Sequence, residues 1–171
     1  RVRAGELRSF ELSYEDDAFT PKPRGCAFGS LKGDGVYIDF AIEGAADAVY
    51  AVLADARVAK QGYGCKVAYR SLAVHGKGLA GLTGDVRILD YLLAPHRRTH
   101  SLEDQAIRHL AHTLGTAAAA AAVDGDEVAG AAAEHANVIA ARHDRLGPKM
   151  SDGQRHVYQQ IGAHAVRDGA K

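Results

Sequence analysis

Apolar and polar residues alternate in part along RSFELSY (8–14), and the short runs CAFGSL (26–31) and VYIDFAI (36–42) follow it. This is strand patterning. KGDG separates the last two runs, and its two glycines signal a hairpin. Residues 8–42 are therefore predicted to form a three-stranded antiparallel meander, with the turn-rich EDDAFTPKPRG between its first two strands. The period then changes. ADAVYAVLAD (46–55) has apolar residues at helical spacing, VAKQGYG is short and ends in glycines like a strand feeding a turn, and CKVAYRSLAVHG (65–76) is again helical, closing on Gly76.

Capping residues punctuate the remainder. Asp85 can cap a helix over 86–93 that stops before Pro95. Ser101 with Asp104 opens the amphipathic SLEDQAIRHLAHTL. The alanine run 117–122 is a helix or a connector, an alanine-rich helix is expected over about 126–144, and Ser151 with Gln154 makes a capping-box pattern before a last helix near 152–168. Three strands, then α-β-α, then several helices predict an α/β fold, a mixed sheet with helices on both faces.

Length, charge and cysteines narrow the reading without changing it. The 171 residues suit one domain. Lys+Arg and Asp+Glu both total 21, and this zero net charge argues against a general nucleic-acid-coating role, which calls for a basic protein. Cys26 and Cys65 lie in no CxxC pair and read as buried free thiols in a reducing compartment, here expected to be the cytoplasm. No apolar run approaches the roughly 20 residues that span a bilayer. The chain begins at Arg1 rather than Met, as expected of a processed chain or one cut from a longer protein.

Several features could carry chemistry. In AAAEHANVIAAR (131–142) a single histidine, His135, interrupts an alanine surface. His109 and His112 are i, i+3 on one helix but lack further ligands in sequence, so they read as surface or structural residues. PHRRTH (95–100) is a basic loop that could touch phosphates, although a solvated connection suffices to explain it. GKGLAGLTG (76–84) lacks the GxxxxGK[ST] pattern of a phosphate loop. Glu103, Asp104 and Arg108 read as helix-surface charge pairs, and Asp124, Asp126 and Glu127 as acids favouring a helix start.

Three stretches resemble one family in the same order. GDVRILDYLLAPHRRTHSLEDQAIRHLAHTL (84–114) is similar to the FDTxLxxYLL…HxLDxLAxRYLGH segment of DNA polymerase I enzymes. AAAEHANVIAAR resembles that family's YAAEDADVTLxL, and AKQGYGCKVAYRSLAVHG (59–76) its KVGQNxKYDxxxLxxxG. The opening strands and the closing GQRHVYQQIGAHAV also resemble the family, so the likeness covers most of the chain. The resemblance is to the 3′–5′ exonuclease (proofreading) domain of family A DNA polymerases. It implies the ribonuclease-H-like fold of the DEDD exonucleases over one domain, 1–171, with residues 151–171 leading toward a polymerase domain in the same parent chain.

The resemblance also implies a chemistry. Such a nuclease uses two metal ions about 4 Å apart, held by an Asp and a Glu two apart on the first strand, an Asp in the second motif, and an Asp on the third-motif helix one turn after a water-orienting Tyr. Hard cations such as Mg²⁺ need these oxygen ligands. Carried over to this chain, the first-strand pair falls on Glu11 and Ser13, the second-motif Asp on Ala68, the third-motif Tyr on Ala131 and its Asp on His135. Glu11 and His135 would be two metal ligands, too few for a dedicated site. The expected function is therefore a vestigial, catalytically inactive exonuclease-like domain of a DNA polymerase I-type enzyme, a structural platform in replication or repair with no cofactor and weak DNA contact at most. One alternative is an active exonuclease with a site rearranged around Glu11, Glu15 or Asp17, and His135, using Mg²⁺ or Mn²⁺. The other is a non-catalytic single-strand-binding module. Asp16 and Asp17 otherwise start a solvated turn.

Overall fold

The computed structural model describes residues 1–15, 21–114 and 125–167. One sheet of five strands runs in the order β3-β2-β1-β4-β5, formed by β1 (Ser9–Tyr14), β2 (Pro23–Gly29), β3 (Val36–Asp39), β4 (Lys60–Gly62) and β5 (Leu82–Asp85). β1, β2 and β3 pair antiparallel as the predicted meander, while β4 joins β1 and β5 joins β4 in parallel. The sequence does not announce β5. LTGD is short, contains a glycine and lacks a clear alternation. It becomes a strand because β4 offers a parallel edge, on which Lys60 faces Leu82 and Gly62 faces Asp85.

The helices are α1 (Ala45–Ala54), α2 (Cys65–Val74), α3 (Val86–Leu93), α4 (Leu102–Leu110), α5 (Gly125–Leu146) and α6 (Asp152–Arg167), with a 3₁₀ turn at Gly147–Lys149 before α6. The caps read from sequence form. The Arg87 N–H donates to the Asp85 side chain, the Asp104 N–H to Ser101 Oγ, and Ser151 and Gln154 exchange backbone-to-side-chain bonds. α4 is shorter than SLEDQAIRHLAHTL suggests. It stops at Leu110 because Ala111 takes φ 51, a left-handed turn that ends the ladder. The alanine run 117–122 lies outside the described residues.

Strand alternation divides the molecule into two layers around the sheet. Phe10, Leu12, Cys26 and Phe28 point to one side and join Val49 and Leu53 of α1 and Cys65, Ala68 and Leu72 of α2 in a buried cluster. Burying each of the larger side chains contributes roughly 1.5–3 kcal/mol. Ser9, Glu11 and Ser13 point to the other side, toward α5. There the helix backbone reaches the sheet. A Cβ added at Gly29 would fall 2.1 Å from the backbone carbon of Ala136, so only glycine facing alanine allows this approach. Ser9 Oγ donates to the Ala136 carbonyl, and the Ser30 N–H donates to Asn137 Oδ1 at 2.9 Å. Val86, Leu102, Ala106, Val138 and Ile139 tie α3 and α4 to α5, and Leu89, Leu146, Met150 and Tyr158 bring in α6.

Candidate functional site

β1 sets Glu11 and Ser13 two residues apart on the face toward α5, and α5 stacks Ala131 and His135 one turn apart. The fold thus brings Glu11 and His135 together across 124 positions of sequence. His135 Nδ1 lies 3.4 Å from Glu11 Oε1 and 3.3 Å from Oε2. His135 is only 4% exposed, whereas the Glu11 side chain keeps 30% of its surface. Oε2 is buried and near the imidazole but lacks hydrogen-bonding geometry to any donor among the described residues. Beside them Ser13 Oγ and Tyr37 Oη share a hydrogen bond of 2.8 Å. Tyr37 lies over Gly25, where an added Cβ would meet its Oη at 2.0 Å. The role of Tyr37 was not read from sequence. Its signal was the register, since β3 faces β2 and the glycine opposite Ser13 leaves room for a ring.

The other predicted positions fall elsewhere. Ala68 is 7% exposed and sits in the apolar cluster with Leu72 and Cys65. Ala131 is half-buried on α5. Glu15 is exposed and its carboxylate faces Lys22 Nζ at 3.4 Å, not His135. Asp16, Asp17 and Asp124 lie outside the described residues. Among the described residues no group of three or more His, Cys, Asp or Glu is arranged to hold a metal ion. The pair of divalent cations that the family likeness implies needs several convergent oxygens, and Glu11 beside an imidazole does not fit it. Both cysteines are free and buried, and burial pushes both thiols up, away from reactivity.

Two polar clusters, around Asp85 and Asp90, reach further than the sequence signalled. In the first, the Asp85 carboxylate accepts the N–H groups of Gly64 (3.0 Å), Cys65 (2.7 Å) and Arg87 (2.9 Å), so it caps α2 as well as α3. Tyr158 Oη of α6 accepts the Asp85 N–H at 2.6 Å. The second is centred on Asp90, 2% exposed, which meets His100 Nδ1 at 2.7 Å, Arg108 at 3.2 Å and Arg142 at 3.4 Å. Burial works to raise the Asp90 pKa, but His100 and Arg108 overcome it and hold the carboxyl below its ordinary value. Arg142 is fully buried on α5 and donates to both Gln105 Oε1 and Asp90 Oδ1; burial lowers its pKa to about 10. In PHRRTH, His100 therefore turns inward, and Arg108 reaches Asp90 as well as its helix neighbour Asp104. His112 lies beyond the end of α4, not on one helix with His109 as expected, and pairs with Glu134 of α5; His109 borders the Asp90 cluster, and neither belongs to a metal group among the described residues.

No protein-family model matches the chain. Over 90 residues, 52% of its length, it is 36% identical to DNA polymerase I of Mycobacterium leprae. The chain is a homologue of part of DNA polymerase I. The match to this polymerase spans 10% of that protein's length. Among solved structures, the POL domain of Pol1 from M. smegmatis in complex with DNA primer-template and dNTP superposes with a TM-score of 0.68 and 24% identity, covering 86% of this chain and 26% of that one. Escherichia coli RNase D, an exoribonuclease involved in structured RNA processing, gives a TM-score of 0.68 at 13% identity over 99% of this chain and 46% of that one. The chain therefore has the ribonuclease-H-like α/β fold that these structures share, as the sequence reading expected. No described helix is long and apolar enough to cross a membrane.

Proposed function

We propose that this domain has given up metal-dependent nuclease chemistry and serves as a structural platform beside a polymerase domain of the same parent chain. The observation that supports this most is the contact of His135 with Glu11 at 3.3 Å. Where the family likeness places four carboxylates, this chain has one carboxylate, an imidazole, a serine held by Tyr37 and an alanine. Methyl groups cannot coordinate a cation, and a neutral serine hydroxyl replaces the anionic oxygens that Mg²⁺ requires. The water-orienting phenol is absent from its place at Ala131. The polar effort of the chain goes instead into Asp85 and Asp90, which fasten helices.

The test is the release of nucleotides from 3′-labelled single-stranded DNA by the purified domain, with Mg²⁺ and separately with Mn²⁺. No trimming above the metal-only background is expected. Processive 3′ trimming that disappears in Glu11→Ala would falsify the proposal and establish a working, rearranged nuclease.

A further inference from the structure

A cleft of about 460 Å³ opens at the amino-terminal end of β1 and β4, and Arg3, Arg8, Arg57, Gln61 and Thr83 line it. Its volume is within the range of small-molecule sites. Three guanidinium groups share the cleft, and Asp55 is the carboxylate that pairs with two of them, Arg3 and Arg57. Arg57 holds Asp55 through two bonds of 3.0 Å and lowers its carboxyl to about 2, so that negative charge is already committed. Arg3 reaches the same carboxylate only at 3.7 Å. Arg8 donates Nε to the Gly5 carbonyl at 3.0 Å, and among the described residues neither of its Nη atoms has a hydrogen-bond or ion-pair partner. Behind the cleft Lys60 is 1% exposed, with Nζ held by the carbonyls of Asp55 at 2.9 Å and Val58 at 2.5 Å, and it adds a further positive charge.

We infer that this cleft binds phosphate groups, with the free fork of Arg8 as the principal contact and Arg57 and Arg3 as auxiliaries. A guanidinium fork matches two oxygens of one phosphate. Four cations set against one carboxylate leave an excess of positive charge in a chain whose total is zero. The remaining wall is aliphatic, from Val2 and Val58, with no aromatic ring on which a base could stack. Recognition therefore rests on the phosphates, whether they belong to a free oligophosphate or to the backbone of a single strand.

Two probes separate these sources: inorganic triphosphate by calorimetry, and a short fluorescein-labelled oligo-dT by anisotropy, both at low salt. The native chain is expected to bind at least one of them. Arg8→Gln should weaken that binding roughly tenfold, the size of a lost charged bidentate contact. Asp55→Asn should strengthen it, because it releases the Arg57 and Arg3 side chains from the carboxylate while its amide oxygen still accepts the Arg57 backbone N–H. Triphosphate binding alone assigns a free oligophosphate; oligo-dT binding alone assigns the strand backbone. If Arg8→Gln fails to fold by circular dichroism, Arg57→Gln, whose side chain is 85% exposed, decides instead. Binding of neither probe by the native chain, or binding unchanged in the arginine variants, overturns the inference.

Discussion

Glu11 and Asp90 both meet α5, through His135 and Arg142 two turns apart, but they meet it differently. Glu11 has a single imidazole as neighbour and remains partly in solvent. Asp90 is 3% exposed at its side chain and collects an imidazole and two guanidinium groups from α4, α5 and the loop before α4. At Asp90 the cations outnumber the carboxylate, to the point that Arg142 Nη1 has no partner among the described residues. Removing Asp90 would strand buried positive charge. Removing Glu11 takes one charge from a partly solvated position. Asp90 fastens three elements together, whereas Glu11 touches one helix and stays partly in solvent.

The largest effect is expected at Asp90. Asp90→Ala should destabilise the domain by about 3–5 kcal/mol in urea unfolding, since it leaves the buried Arg142 guanidinium without a counter-charge. A loss below about 1 kcal/mol would end the distinction drawn here. Glu11→Gln keeps the shape and removes the charge, and it should cost about 1 kcal/mol or less. A loss as large as that of Asp90→Ala would make the two carboxylates equivalent. The smallest effect is the pH response. His143 and His109 have pKa values lowered chiefly by burial, below the ordinary 6.5. As pH falls through about 6.5 the unfolded chain takes up protons that the folded chain refuses, so stability declines. The Asp90 carboxyl, also lowered, adds a loss only below about pH 4, when it is protonated. Thermal melts should therefore show Tm falling by roughly a few degrees from about pH 7 to about pH 5. A Tm that rises over that interval would contradict the burial of these rings.

Much of the fold could be read along the chain because its signals are local. The meander, the glycine-bounded β4, and the caps at Asp85, Ser101 and Ser151 each lie within a few residues of what they control. β5 could not, because its pairing with β4 decides its conformation more than LTGD does. The candidate site was legible as positions only through a family likeness, and the contact of Glu11 with His135 needed the sheet and α5 assembled. Tyr37, set against Ser13, was missed because it depends on the register of two strand pairs.

By itself the sequence determined the order and kind of the main elements and the low-volume face of α5. Periodicity, capping and side-chain chemistry act over a few residues and are written directly in the chain. Only the tertiary structure decided that Asp85 caps two helices, that Arg142 is buried on Asp90 from 52 positions away, and that Arg8 faces a cleft with Arg57. Those outcomes depend on which surfaces lose water when the layers close, and burial alone turns an ordinary surface charge into a fastening or a binding group.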